Sequence, residues 1–315
     1  MVIITVSTSA KCSMSSSSSD LEGLHRSGEL DRRIEGFREI VSRCTLCPHL
    51  CRVDRTAGAT GFCKAPLYGS IASASPHFGE EPPLVGRSGS GTIFFSGCNL
   101  SCVFCQNFDI SQRDAGRRTG PEELAAIMVE LQRRGCHNIN LVSPTHVMYL
   151  AAAALPYAVE GGLEIPIVYN SGGYDSVETL ELLDGIVDIY MPDMKYGNSE
   201  AGNRYSGVSD YPERCFEAVT EMHRQVGDLV TDGEGIAKRG LIVRHLVLPG
   251  DAADSEPIFR FLSGLSTGTY LNIMSQYRPE YRASGYREIA RRPSLNEYDE
   301  TIALARSFGL TRLAR

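Results

Sequence analysis

Hydrophobic positions first recur with helical spacing between Leu30 and Arg43, where Leu30, Ile34, Phe37, Ile40 and Val41 share one stripe. The next stretch, Cys44 to Arg87, is rich in Cys, Gly and Pro and loses that periodicity. It reads as a small loop-built module that needs a metal to hold its shape. From Gly91 the pattern changes again. GTIFFSG is a short buried strand, and strands and helices then alternate to the C-terminus. The predicted strands are 92–96, 139–142, 165–169, 187–191, 241–248 and 270–274. The predicted helices are 121–134, 147–159, 176–183, 212–226, 256–265 and 295–308. Pro121 followed by Glu122 and Glu123 is a favourable helix start. The polar insertion from Asp228 to Gly240, with Asp232-Gly233 inside it, predicts a surface hairpin. Six βα units from about residue 91 mean an α/β fold, either a parallel barrel or a doubly wound sheet. Both arrangements put function at the C-terminal ends of the strands.

Composition narrows the function classes. The chain has 315 residues, 42% hydrophobic and 22% charged, enough for one large domain or two ordinary ones. A net charge of -7 argues against a general nucleic-acid binder. No apolar run reaches the ~18 residues of a membrane span. The first twenty residues lack both the basic segment and the long apolar segment of a secretory signal, and Ser15 to Ser19 reads as part of a disordered tail. A transit peptide is the remaining leader reading, and the missing arginine weighs against it. The expected setting is the reducing cytoplasm.

Ten cysteines change the picture, because seven fall between Cys44 and Cys105. Disulfide frameworks suit short secreted domains without a core, so in a reducing cell the cluster points to metal. Directly after the first predicted strand of the βα series comes GCNLSCVFCQN, with Cys98, Cys102 and Cys105 spaced C-x3-C-x2-C. Three thiolates on one loop can ligate three irons of a four-iron cluster and leave the fourth iron open to an external ligand. The plain alternatives are three ordinary cysteines in a turn, or part of a zinc site.

That loop, with Phe104 before its third cysteine, resembles the radical S-adenosylmethionine (SAM) superfamily. Within it, GCNLSCVFCQN is similar to the pyruvate formate-lyase activating enzymes, and HFGEEPPLVGRSGSGTIFFSGCNLSCVFCQN to a branch of activating-enzyme homologues. The resemblance covers roughly residues 44 to 300. It implies a partial (β/α)6 TIM-like barrel binding a [4Fe-4S] cluster and SAM, with a 5′-deoxyadenosyl radical that abstracts hydrogen from a substrate. It also implies a flavodoxin- or ferredoxin-like reductant and a glycyl-radical enzyme as partner. Relatives carry Gly-Gly-Glu at the end of the second strand, whereas this chain has Ser143, Pro144, Thr145 and His146. Ser143 can still accept from the SAM ammonium, although Ser143-Pro144 equally suits a helix start, and His146 reads as a satisfied loop histidine. Asn170 and Ser171 end the third strand. Met191-Pro192-Asp193-Met194-Lys195 ends the fourth and matches the Asp-x-Lys of the activating enzymes. The resemblance places Asp193, the Met191 carbonyl, Asn170 and Ser171 near the SAM carboxylate, around a monovalent cation, and pairs Lys195 with an anionic group of SAM. Arg244, in Val-Arg-His-Leu-Val-Leu-Pro-Gly, would contact that carboxylate, while His245 points to the other face. Tyr277 or Gln276 would approach the nucleoside.

Cys44, Cys47, Cys51 and Cys63 form a second group, C-x2-C-x3-C-x11-C. Four thiolates suit a closed site, either a second [4Fe-4S] cluster or zinc, and reduced structural cysteines are the alternative. Cys12, Cys136 and Cys215 read as ordinary thiols. His77, Glu80 and Glu81 either border the active site or belong to a solvated loop. The expected organisation is a tail at 1–29, a helix and metal module at 30–90 and the barrel at 91–315. Besides the activating-enzyme reading, two others stand: radical chemistry on a small molecule or peptide, and a non-catalytic iron–sulfur or zinc protein.

Overall fold

The computed structural model describes residues 21–113 and 115–314, so the serine run and Cys12 lie outside it. Residues 21–29, grouped above with the tail, instead begin the packed structure. Helix α1 (Leu21–Arg26) turns at Gly28, whose φ of 75° suits glycine, into α2 (Glu29–Ser42). Leu21, Leu30, Phe37 and Val41 are buried in the same apolar cluster as the strands of the sheet. The leading segment therefore shares the main core and has none of its own.

The cysteine-rich stretch is also less loop-built than its sequence suggests. It supplies strand β1 (Ser70–His77) and a short helix α3 (Pro82–Val85). β1 runs antiparallel along β2 (Ser90–Phe95) and covers that edge of the sheet. Its sequence, SIASASPH, alternates Ala and Ser over residues 72–75, which carries little hydrophobic contrast for a period-two pattern. After the short helix α4 (Phe108–Ser111), the two-residue strand β3 (Arg117–Arg118) pairs with the start of β1.

The rest alternates as predicted: α5 (Pro121–Arg133), β4 (Ile139–Val142), α6 (Met148–Glu160), β5 (Ile167–Ser171), α7 (Val177–Glu181) and β6 (Ile189–Pro192). β5 begins two residues later than the apolar run implies, because Pro166 has no N–H to offer the ladder. Two helices follow β6: α8 (Ser199–Ser206), absent from the sequence reading, and α9 (Tyr211–Val226). α8 is capped by Asn198, which accepts from the Ala201 amide, and ends at left-handed Gly207. The predicted hairpin forms between β7 (Val230–Thr231) and β8 (Ala237–Leu246). α10 (Ser255–Leu265), β9 (Tyr270–Met274) and α11 (Leu295–Ser307) complete the chain.

Six parallel strands lie in chain order, β2-β4-β5-β6-β8-β9. The order never reverses, so the doubly wound alternative, which needs a switch point, is excluded. Alternation along these strands sorts side chains onto two faces. Leu141, Tyr169, Tyr190 and Val243 join the helix-covered core. Val168, Ile189, Met191 and Ile242 form a separate apolar cluster with Leu84 and Leu229. That second face, followed to the strands' C-terminal ends, becomes the cavity described below. No helix among the described residues is long and apolar enough to cross a membrane.

His146 ties the elements together beneath that cavity. Its Nε2 donates to the Ser96 carbonyl at 2.8 Å, and its own carbonyl accepts from Arg55 at 2.9 Å. Burial pushes its imidazole down to about 4, so it is neutral in the fold while the unfolded chain titrates near 6.5. Above pH 6.5 both states are neutral and stability is unaffected. Between 6.5 and 4 the unfolded state alone takes the proton, and the fold loses up to about 3 kcal/mol. Urea unfolding at a series of pH values should show this slope in the native chain and not in His146→Asn.

Candidate active site

The loop after β2 leaves the strand through Gly97, whose φ of 89° turns the chain across its end. Glycine is needed there, since a Cβ would lie 3.1 Å from His146 Nε2 and 3.3 Å from the Cys63 carbonyl. The loop then carries Cys98, Cys102 and Cys105 into a cavity of about 250 Å³ at the C-terminal ends of the parallel strands. Each thiol has a hydrogen-bonding neighbour. The Leu100 amide donates to Cys98 Sγ at 3.4 Å, Ser206 Oγ donates to Cys102 Sγ at 3.0 Å, and Ser111 Oγ lies 3.2 Å from Cys105 Sγ. Tyr196 meets Ser206 Oγ at 2.7 Å, so a short polar chain stands behind Cys102. Burial, and secondarily the other two cysteines, push the Cys98 thiol up to about 12. Burial raises Cys102 as well, against the lowering influence of Lys195 and Ser206. Such thiols are poor nucleophiles, and a metal would have to displace their protons.

Across the cavity, β5, β6 and β8 bring Asn170, Asp193, Lys195 and Arg244 together. Lys195 Nζ donates to Asp193 Oδ2 at 2.5 Å. Arg244 Nε donates to Asp193 Oδ1 at 2.8 Å, and its Nη2 donates to Asn170 Oδ1 at 2.7 Å. The charged side chains are only 16–18% exposed. Burial works against the ionised Asp193, but Arg244 and Lys195 together hold its carboxyl below the usual range. Burial likewise opposes the Lys195 ammonium, and Asp193 with Cys102 outweighs it, so Lys195 stays charged.

The segment before β2 completes this network. Glu80 lies 3.6 Å and Glu81 3.9 Å from the Arg244 guanidinium, and Asn272 of β9 donates to Glu81 Oε1 at 2.9 Å. Glu81 is 4% exposed, so the solvated-loop reading of this pair does not hold. Burial raises the Glu80 carboxyl, which Arg244 partly offsets. Two acidic residues in a row, followed by Pro82-Pro83, gave no sign in sequence of a buried arginine partner. Arg244 thus arrives at the cavity already held by Asp193, Asn170 and two glutamates.

Other candidates fall less directly. Phe104 and Ser143 line the cavity, Ser143 with a left-handed φ of 53°. Ser171 borders it, but its hydroxyl donates to Asp175, which also accepts from Thr145 and Tyr169. Met191 is buried in the apolar cluster below and does not line the cavity. Tyr277 sits behind Phe104, 5.6 Å between ring centres, and its hydroxyl donates to the Ile289 carbonyl at 2.7 Å. Of the two residues expected near a nucleoside, Gln276 is the one on the cavity wall. His245 is enclosed between the Met194 carbonyl and Ser255, on the face away from the cavity. His77 stacks edge-on against Phe94, and its charge would favour the ionised Glu80.

A three-cysteine loop facing a buried Asp–Lys–Arg network at parallel strand ends defines a cofactor-binding α/β enzyme site, and the comparisons agree. The profile of the Radical SAM superfamily matches residues 92–262. The chain is 36% identical over 291 residues to the uncharacterized protein MJ0674 of Methanocaldococcus jannaschii, across 89% of this chain and 79% of that protein. The chain belongs to the radical SAM superfamily, which uses a [4Fe-4S] cluster and SAM. Among solved structures, the FeFe-hydrogenase maturase HydG of Carboxydothermus hydrogenoformans superposes with a TM-score of 0.44 at 13% identity, over 69% of this chain and 50% of that one. The radical SAM methyltransferase TsrM of Kitasatospora setae, with cobalamin and a [4Fe-4S] cluster bound, gives 0.43 at 13% identity, over 64% and 40%. The chain spans half or less of either protein.

The residues present fit the cluster and cosubstrate: one buried and two partly buried thiols with hydrogen-bonding neighbours, on a cavity whose opposite wall carries both signs of charge. Removing the Ser206 hydroxyl takes away one donor to Cys102 sulfur. Ser206→Ala should keep its iron but show a more negative reduction potential in an anaerobic redox titration, because donors to sulfur favour the reduced cluster.

Proposed function

We propose that this chain is a radical SAM enzyme of the activating-enzyme type, working in the reducing cytoplasm. The observation that carries this reading is the convergence of Cys98, Cys102 and Cys105 with Asn170, Asp193, Lys195 and Arg244 on one cavity. In this reading the six parallel strands form an open (β/α)6 barrel, and the three cysteines hold the [4Fe-4S] cluster. When bound, that cluster and SAM supply one-electron cleavage of the sulfonium to methionine and a 5′-deoxyadenosyl radical, the electron coming from a flavodoxin- or ferredoxin-like donor.

The chain's own residues position and enclose. Lys195, held by Asp193, presents a fixed positive charge to the carboxylate of SAM. Asp193 and Asn170 fix the Arg244 guanidinium, so Arg244 offers that carboxylate its field from a preset position. Ser143, with its backbone turned left-handed, directs polar groups at the ammonium in place of a carboxylate. Phe104, backed by Tyr277, forms an apolar wall, and Gln276 offers amide contacts to the nucleoside. Leu246 and Met274 on the same wall help keep water from the reacting centre. The Asp193-Met194-Lys195 and Arg244 to Gly250 segments support an activating enzyme whose substrate is a glycyl residue on a partner protein. The missing carboxylate at Ser143-Pro144-Thr145 favours a second reading, the same chemistry on a small molecule or peptide.

Anaerobically reconstituted protein with SAM and a strong reductant should form 5′-deoxyadenosine, measured by chromatography. Cys102→Ala should form none, and Lys195→Ala should bind SAM roughly 10–100-fold more weakly, about 1.4–2.7 kcal/mol. An intact cluster without product in the native chain would rule out both enzyme readings. A glycyl-radical EPR doublet on a co-expressed glycyl-radical enzyme separates the first reading from the second.

A further inference from the structure

The cysteine module carries its own evidence for a ligand. The chain after α2 doubles back on itself: the Cys44 amide donates to the Val53 carbonyl and the Arg52 amide to the Cys44 carbonyl, both at 2.9 Å. This brings Cys44, Cys47 and Cys51 towards Cys63. Cys47 feels the charges of Cys63, Cys44 and Cys51, and Cys63 those of Arg55, Cys44 and Cys51. Phe62 N–H donates to Cys51 Sγ at 3.3 Å, and burial raises the Cys47 and Cys63 thiols against the lowering influence of the backbone at His49 and Ala65. Gly61 lets Cys51 approach, since a Cβ there would lie 2.6 Å from its sulfur. Amide donors to sulfur serve a thiolate better than a thiol.

Two features are costly without a ligand. Leu50, Arg52 and Lys64 have φ of 44°, 55° and 58°, three of the seven non-glycine residues with positive φ among those described. Each directly adjoins Cys51 or Cys63. Strain of this kind persists only where the surroundings over-determine it, and it gathers at sites. The second feature is Arg55, 1% exposed. Its guanidinium donates to the carbonyls of His146 and Pro66, its Nε has no partner, and among the described residues no carboxylate pairs with it. An arginine cannot discharge itself, so a buried one calls for an anion. Its charge acts on the Cys63 thiol. Four neutral thiols supply no anion. Four thiolates around Zn²⁺, or around a [4Fe-4S]²⁺ core, carry a net charge of about -2.

We propose that Cys44, Cys47, Cys51 and Cys63 hold a second metal–thiolate centre, with Arg55 as its buried counter-cation. Binding releases the four thiol protons to solvent as the sulfurs take the metal. Among the described residues no three His, Cys, Asp or Glu side chains converge as closely as one ion requires. A multi-iron cluster, wider than an ion, accommodates that spread with less movement than zinc. The centre also braces the first site. Arg55 reaches the His146 carbonyl, His146 reaches the Ser96 carbonyl, and Ser96 leads through Gly97 to Cys98.

The test is metal and sulfide content of the full chain, produced anaerobically with iron and zinc supplied. The native chain should hold either about eight irons with equal sulfide, or about four irons plus one zinc. About four irons and no zinc overturns the proposal. Replacing Cys98, Cys102 and Cys105 together by Ser should leave the second centre's metal in place, which separates this site from the SAM reading. Adding Cys51→Ser and Cys63→Ser should then remove it; metal content unchanged by those two substitutions also overturns the proposal. Arg55→Leu should lose the second metal to a chelator at least tenfold faster than the native chain, and an unchanged rate would remove Arg55 from the centre.

Discussion

The ion pair between Arg244 and Asp193 is the contact on which the catalytic half of this molecule turns. It joins β8 to the end of β6 where ladder pairing between those strands has already stopped at Leu241, and an isolated bridge between the same two residues continues the alignment. From Asp193 the network reaches Lys195, and from Arg244 it reaches Asn170, Glu80 and Glu81. Losing one partner of such a buried set leaves the others uncompensated, at a cost of about 3–5 kcal/mol. Geometry and stability at the cavity are therefore one property.

Strand alternation explains why this polar set can exist inside an α/β fold. The face of β5, β6 and β8 that carries Asn170, Asp193 and Arg244 is lined deeper down by Val168, Ile189, Met191 and Ile242. Apolar residues seal the floor while charges gather at the C-terminal rim. The opposite face meets the helices and is apolar apart from anchored groups such as His245 and Asp175, each satisfied by hydrogen bonds. The three-cysteine loop closes the rim from the β2 side.

The N-terminal segment is bound into the same body. Leu46 and Phe37 belong to the main core, Thr179 of α7 donates to the Leu46 carbonyl, and His49 contacts the Asn99 carbonyl within the three-cysteine loop. β1 lies along β2, the strand that delivers Cys98. A module read in sequence as loop-built and metal-held is packed against the three-cysteine loop.

The parts legible in sequence were those whose signal is local. The alternation of strands and helices follows from hydrophobic period, whereas the strand order, open in sequence between a barrel and a doubly wound sheet, came from the pairing. The C-x3-C-x2-C loop is a spacing of one residue type along eight positions. Asp193 and Lys195 stood out through their match to a family motif, and Arg244 as a charge inside an otherwise apolar strand. Tertiary structure decided what depends on distant partners. Glu80 and Glu81 became partners of Arg244, 164 and 163 residues further along the chain, only through the pairing of β8 with its neighbours. The choice between Tyr277 and Gln276 was made because one side chain packs behind Phe104 and the other lines the cavity. The small residues of β1 hid a strand that only its partner β2 reveals. Arg55 reads as one more arginine until its burial, with no carboxylate partner among the described residues, sets it apart. Period and spacing are properties of neighbours in the chain, whereas burial and charge balance are properties of neighbours in space.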